Sequence, residues 1–297
     1  MKYGVLKYNY GINRYALGCN LGDEIQSIAA SYFLPRVDYF IDRELITEVV
    51  CNEKIKLIMN GWYMHDWKQW PPARNIEPLL VSINLSNEKF EKNIFSPQNR
   101  DYLINNGPVG ARDLYTLNLL QEQNIPSYFS GCLTLTLPKA QNIVRQDYVL
   151  CIDVEKEIVD KLKKQTSRKI FEFSSCMSRQ YLACEEKFKY AFGLLKAYQS
   201  AAAVITSRLH AAMPCLALET PVLLVRDFEK HDGRFDGLGE LVRKADNKFY
   251  LNNLDYFDVN NLTPNGSEYM KYRELLIERC EKFTGVKHST ISPITQI

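Results

Sequence analysis

The sequence predicts an α/β fold: two Rossmann-like domains with parallel sheets and a ligand cleft between them. Three observations carry that prediction. Short apolar runs alternate with segments of helical period in both halves of the chain, which is the pattern of β-α-β units. The length of 297 residues suits one large domain or two domains of about 140 residues each. A polar, turn-rich stretch at 137–146 separates the halves. It sets the expected domains at 1–140 and 141–285, with a tail at 286–297.

The first half offers strands at 4–8, 55–59 and 79–83. The helix expected over 23–33 has the clearest period. Ile25, Ile28, Ala29, Tyr32 and Phe33 recur at i, i+3, i+4, i+7 and i+8, one face of an amphipathic helix. A second helix is expected from near Arg112, with Leu114, Leu117 and Leu120 on one side, after the break at Gly107-Pro108. The alternation from Gly131 to Leu137 reads as a strand. In the second half, 148–152 and 169–173 read as buried strands, 186–200 as a helix and 203–206 as a strand. A short helix at 210–218 and a strand at 221–225 follow. The segment 267–283 reads as a closing helix, with Tyr272, Leu275, Leu276, Cys280 and Phe283 on one face. The tail at 286–297 has no period and is expected to be loose.

Composition excludes several classes. Hydrophobic residues make up 46% and charged residues 24%, as in globular proteins. The net charge of +2 argues against a nucleic-acid partner, which usually demands a basic excess. The most apolar stretch, 201–225, is interrupted by Arg208, His210, two prolines and Glu219, so no integral membrane segment is expected. The eight cysteines contain no CxxC pair and no metal-ligand cluster is apparent. With no signal peptide legible at Met1-Lys2-Tyr3-Gly4, they read as reduced thiols of a cytoplasmic protein, mostly small core residues.

Functional residues of such a fold should sit just after strands. The strongest signal is Val204-Ile205-Thr206-Ser207-Arg208-Leu209-His210, where an apolar strand meets a helix start. Ser207 is positioned to cap that helix. The helix N-terminus favours an anion, Arg208 adds a planar cationic fork, and His210 adds a proton carrier with a pKa near neutrality. The same residues would also make an ordinary cap, a surface arginine and a hydrogen-bonded core histidine. Arg112, between Val109-Gly110-Ala111 and Asp113, opposes a helix dipole, a conflict that a bound anion would resolve; a surface pair with Asp113 is the plainer alternative. The charged run after the last strand offers Lys230, His231 and Arg234, although most such runs are solvated loops.

Near the N-terminus, Asn20-Leu21-Gly22-Asp23 precedes the first helix. Gly22 lets a ligand approach the backbone. Asp23 would cap the helix, or bind a sugar hydroxyl and accept its proton. Asn60-Gly61 ends a strand in the same way, and Trp62, Trp67 and Trp70 follow. Those rings suit either sugar stacking or, more simply, the packing of a long loop. Gly131 and Cys132 would border the cleft, and Cys132 is a weak candidate nucleophile.

Together, the segments 20–30, 109–116, 125–137 and above all 204–225 resemble the polysaccharide pyruvyl transferase family. The most specific part is Ser207-Arg208-Leu209-His210, followed by Ala211-Ala212-Met213-Pro214 and Thr220-Pro221-Val222. The resemblance implies a GT-B-like architecture, phosphoenolpyruvate as donor substrate with no cofactor or metal, and a sugar diol as acceptor. That acceptor would belong to a capsular or exopolysaccharide glycan or to a lipid-linked precursor, the latter drawing the protein to the inner face of a membrane. The product would be a pyruvate ketal, with release of phosphate. The family's donor-side residues map onto Arg112, Arg208, His210 and Lys230, with His231 and Arg234 as neighbouring alternatives to Lys230. The chain departs from the family at Asn60-Gly61, where many members carry a Gly-rich turn. Two rival readings share the fold. One is a glycosyltransferase using a nucleotide sugar, with Glu219 on the ribose. The other is a non-catalytic sugar- or anion-binding relative.

Overall fold

Each half of the chain builds one all-parallel sheet. The computed structural model describes residues 1–8, 18–86, 92–178 and 183–296. The first half supplies β1 (Lys2–Lys7), β2 (Gly18–Asn20), β3 (Tyr39–Asp42), β4 (Ile55–Trp62), β5 (Ile76–Asn84), β6 (Val109–Ala111) and β7 (Ser127–Phe129). The second half supplies β8 (Tyr148–Ile152), β9 (Lys169–Phe173), β10 (Cys176–Ser178), β11 (Ala203–Thr206), β12 (Val222–Arg226) and β13 (Lys244–Asp246). The sheets have six strands in the order β3-β1-β4-β5-β6-β7 and five in the order β13-β12-β11-β8-β9. The fold is therefore α/β with two Rossmann-like sheets. An antiparallel ribbon of β2 and β10 ties the halves together.

Continuous apolar runs form these strands because each strand faces a core on both sides. Along β1, β4 and β5 the residues alternate between two clusters. Val5, Ile58 and Val81 point to one, and Leu6, Leu57, Met59 and Leu80 to the other. In the second sheet Leu150, Ile152, Val204, Val222 and Leu224 face the same first cluster, while Val149, Cys151, Ile205 and Leu223 face a third. The two sheets thus share one inner core. It is filled by α1 (Leu21–Ser31), α5 (Cys184–Ser200) and α6 (Leu209–Ala217). The outer layers hold α2 (Pro97–Asn105) and α3 (Leu114–Glu122) on the first sheet, and α4 (Lys156–Gln165) and α7 (Asn247–Asn252) on the second. Six large side chains of the inner core drawn from both halves, such as Phe33, Leu133, Leu135, Met213, Leu216 and Leu224, are worth roughly 9–18 kcal/mol of burial.

Four expectations need correction. Helix α1 is not a surface amphipathic helix; all its residues are buried, because α5 covers the side away from the first sheet. Its serines are bonded inside the protein, Ser27 Oγ donating to Leu6 O at 2.7 Å and Ser31 Oγ to Ile28 O at 2.6 Å. The Gly131–Leu137 stretch is not a strand. Gly131 takes φ +70 and Leu133–Thr136 form a buried 3-10 turn, whose Thr136 hydroxyl donates to Leu133 O at 2.8 Å. Strand β9 lies at the sheet edge, so Phe171 and Phe173 are about half exposed rather than buried.

The tail is not loose over its described residues. His288 stacks on Phe33 at 4.6 Å, Ser289 N donates to Tyr32 O at 2.9 Å, and the Ser31 and Ser292 hydroxyls meet at 2.7 Å. Ile294 is buried in the inner core. A segment without period still packs when each residue finds a different partner. The closing helix, α8 (Met270–Thr284), returns to the first half, where Tyr272 meets Phe129 edge-on at 4.9 Å and Arg279 lies over the Tyr128 ring. No described helix is long and apolar enough to cross a membrane.

Candidate active site

In both sheets the direction of winding reverses once, between β1 and β4 and between β8 and β11. Ligands of open α/β sheets bind outside the carboxyl ends of the strands at such points. The second reversal opens on a cleft of about 310 Å³ lined from both halves, including Asn20, Arg112, Ser207, Arg208, His210, Arg226, Lys230 and Arg234.

The second half builds most of it. Directly after β8, Asp153 adopts φ +53, a left-handed conformation that Asp tolerates better than most residues. Its carboxylate accepts from Arg208 Nε at 2.8 Å and Ser175 Oγ at 3.3 Å, and its carbonyl accepts from Ser207 Oγ at 2.8 Å. Ser207 is therefore spent on Asp153 and does not cap α6. Arg208 occupies the cap position without a side-chain cap bond, so the first turn of α6 faces the cleft uncapped. After β12, the Arg226 guanidinium lies 3.6 Å from the centroid of the Phe235 ring and 3.6 Å from Asp232 Oδ2. Arg234 grips the same Asp232 through two bonds of 2.9 and 2.6 Å. Although burial works against it, this grip holds the Asp232 carboxyl below the usual range. The loop docks on the first half. A Cβ at Gly233 would lie 2.7 Å from the Tyr115 ring, and Leu114 N donates to Asp236 O at 2.9 Å.

From the first half comes Arg112, placed just after β6 by a bond from its N to Ile83 O at 2.7 Å. It is only 3% exposed. Asp113 next to it is the cap of α3, accepting from Thr116 N at 2.8 Å and Asn84 Nδ2 at 2.6 Å. That leaves Arg112 Nε 3.8 Å from Asp113 Oδ2, and both Nε and Nη1 without a hydrogen-bond partner. Arg112 thus keeps a long ion pair with Asp113 but leaves buried donors without a hydrogen bond, which is costly, and here they face a cleft.

His210 joins the two halves. It starts α6 and rests on the first turn of α1. A Cβ at Gly22 would sit 2.5 Å from His210 Nδ1 and 2.6 Å from its Cβ. Gly22 therefore makes room for an imidazole of the other half, not for a ligand. We expect Gly22→Ala to fold with about 1–3 kcal/mol of overpacking and to lose about 10²-fold in turnover by displacing the ring. Thermal denaturation and phosphate release check the two parts separately. Burial, then the Arg112 charge, and more weakly Arg234 and Arg208, push the His210 pKa down to about 4, with Asp23 opposing. The sequence suggested a value near neutrality; before any anion binds, the imidazole is neutral at pH 7.

Of the sequence-derived candidates, the cleft brings together Asn20, Arg112, Ser207, Arg208, Leu209, His210, Lys230 and Arg234. Asn20, not Asp23, caps α1, accepting from Gly22 N at 3.2 Å. Asp23 lies one residue past Gly22, nearly buried, and accepts from Gln26 Nε2 at 3.2 Å. Asn60 and Gly61 sit farther along α1, where Asn60 Nδ2 donates to Gln26 O at 3.0 Å. Gly131 and Cys132 do not line the cleft. Burial raises the Cys132 thiol pKa and its Sγ meets Thr134 Oγ1 at 3.1 Å, which makes it a poor nucleophile. His231 turns to Asp236 at 3.3 Å, whereas Lys230 lines the cleft but is 84% exposed. Of the three tryptophans, Trp70 is buried against Tyr63 and Tyr102, and Trp62 packs on Arg43, as loop packing requires. Glu219 pairs with Lys139 at 2.6 Å beyond the far end of α6, away from the cleft lining.

Sequence reasoning missed Asp153, Arg226 and Asp232. The first two obey the rule that found Arg208: each lies at the carboxyl end of a parallel strand. Asp232 carries no such signal.

The fold and cleft define a class: an α/β protein with two Rossmann-like sheets and a cation-rich site where they meet. The family model for polysaccharide pyruvyl transferase matches residues 20–226, most of the chain, and the chain belongs to that family. No curated protein and no solved structure matches it.

Proposed function

We propose that the protein transfers the pyruvyl group of phosphoenolpyruvate to a sugar diol of a glycan, free or lipid-linked, forming a pyruvate ketal and releasing phosphate. The observation that carries this reading is Arg112, buried at the cleft with two unpaired guanidinium nitrogens. Around it stand Arg208, Arg226, Lys230 and Arg234 and the uncapped start of α6. A small ligand carrying both a carboxylate and a phosphate matches so many donors in about 310 Å³.

The reaction adds a sugar oxygen to C2 of the enol ester while the methylene carbon gains a proton. The phosphate–C2 bond then breaks and a second hydroxyl oxygen closes the ring. Of the two hydroxyl protons, one ends on the new methyl group and one leaves with phosphate. His210 carries the proton to the methylene carbon. Burial and then the arginines hold the ring neutral; the donor's charge offsets the arginines, so proton uptake is coupled to donor arrival. Arg112 and Arg208 hold the anionic groups, and the flanking Lys230 and Arg234 stabilise the departing phosphate.

A nucleotide-sugar reading loses its ribose ligand, since Glu219 lies away from the cleft lining. Phosphorus NMR tests the choice. Inorganic phosphate appearing from phosphoenolpyruvate only with a saccharide present supports the reading. Nucleoside diphosphate released from a nucleotide sugar, or donor binding without turnover on any acceptor, rejects it.

A further inference from the structure

The loop after β12 carries a carboxylate into a cleft built for anions. Asp232 lines that cleft beside Arg226 and Arg234, where its charge by itself would repel the ligand. The geometry around it resolves the conflict. Asp232 Oδ1 accepts from Arg234 Nε at 2.9 Å and Oδ2 from Nη2 at 2.6 Å, so both oxygens lie along one edge of the guanidinium. A guanidinium is a rigid planar fork, and its second edge, Nη1 with the outer hydrogen of Nη2, points away from such a partner. Arg234 forms no other side-chain hydrogen bond among the described residues, and its side chain is about half exposed. Arg226 Nη1 stands 3.6 Å from the same Asp232 Oδ2, so two cations share one carboxylate and the trio stays positive. The loop is fixed on both sides of Arg234. Asp232 Oδ1 caps the turn at 233–235 by accepting from Arg234 N at 3.2 Å. Gly237 takes φ +82, and a Cβ there would lie 2.8 Å from the Leu114 side chain in the first half. Arg234 is thereby carried to the meeting point of the halves. There Asp113 and Asp23 act on its charge, and its charge acts on His210.

We propose that Asp232 is a positioning residue, which holds Arg234 by one edge of its fork so that the other edge grips phosphate in the cleft. The inference rests on the proposed function for the identity of the anion. It also divides the work between the two flanking cations. Arg234 is the fixed phosphate ligand, whereas Lys230, 84% exposed and 3.5 Å from Asp227, adds a mobile charge. Arg208 is held in the same manner, through Nε to Asp153 at 2.8 Å, which leaves its Nη pair for the ligand.

The test turns on a sign. Asp232→Asn keeps the cap, because Asn caps as well as Asp, but it offers one acceptor oxygen to an edge that donates twice. It also removes a negative charge from the cleft. Charge alone therefore predicts tighter anion binding, and loss of positioning predicts weaker binding. Calorimetry should show inorganic phosphate and phosphoenolpyruvate each bound about tenfold more weakly by Asp232→Asn than by the wild type. In an Arg234→Met background, Asp232→Asn should lower affinity no further, because its effect passes through Arg234. Circular dichroism and thermal denaturation establish folding; if Asp232→Asn does not fold, Asp232→Ser, a cap too short to reach the guanidinium, carries the same comparison. Either anion bound as tightly or more tightly by Asp232→Asn, or an equal loss in both backgrounds, overturns the assignment. Phosphate affinity that falls in Asp232→Asn, in a protein that ignores phosphoenolpyruvate, keeps the assignment and rejects the donor reading. A wild type that binds neither anion overturns both.

Discussion

Arg112→Met should abolish donor binding while leaving the fold standing. Two charge-assisted hydrogen bonds to a bound anion are worth about 1.5–3 kcal/mol each, so calorimetry with phosphoenolpyruvate should show a loss of roughly 10²–10⁴ in affinity. The stability cost should be small, within about 1 kcal/mol, for a specific reason. In the free protein the Arg112 guanidinium is already buried with two nitrogens unpaired, and a methionine of similar length removes that desolvation penalty. The buried Asp113 carboxyl loses its long ion pair with Arg112; burial pushes its pKa up, and Thr116 and Asn84 still hold it. Arg208→Met should behave differently. Its side chain is 46% exposed and paired with Asp153, so the expected loss of affinity is nearer tenfold. Unchanged affinity in Arg112→Met would remove the observation on which the function rests.

The contrast between these two arginines also marks where sequence reasoning stops. That both follow a parallel strand is legible, because strands buried on two faces announce themselves as apolar runs and their ends as the first charges. Which of the two is buried with unbonded nitrogens is decided by Asp113 and Asp153, one turned into a helix cap and the other into a close guanidinium partner. Both are plain Asp in the sequence. The caps show the same limit: Asn20 and Asp23 are equally good cap residues, and Asn20 caps α1. Gly22 signals a close approach to the backbone, but the approaching group is no ligand; it is His210, 188 positions away in sequence, beyond any local pattern. The apolar period of α1 reported one buried face. The other face is buried by α5, and a period cannot report buried serines whose hydroxyls go to Leu6 O and Ile28 O.

His210→Ala should fold, bind donor, and turn over about 10²–10⁴-fold more slowly; its pH dependence carries the sharper test. In the free protein burial and three arginines hold the imidazole near a pKa of about 4. A bound polyanion cancels much of that positive field and raises the value, so binding takes up a proton. Linkage then requires the wild-type affinity to strengthen as pH falls from neutrality toward 4, relative to the variant. The donor phosphate protonates near pH 6 and weakens binding in both proteins alike, so the difference between them isolates the imidazole. Stability moves the opposite way. The folded pKa lies below the unfolded value of about 6.5, so the contribution is intact above pH 6.5 and is lost as pH falls toward 4, where the unfolded chain binds a proton that the folded state refuses. His288, also held down to about 4, chiefly by burial, adds a loss of the same sign, common to wild type and variant. His210→Ala should therefore lose less stability than wild type between pH 6.5 and 4 in thermal denaturation, and the same proton that destabilises the free protein there is the one the donor recruits.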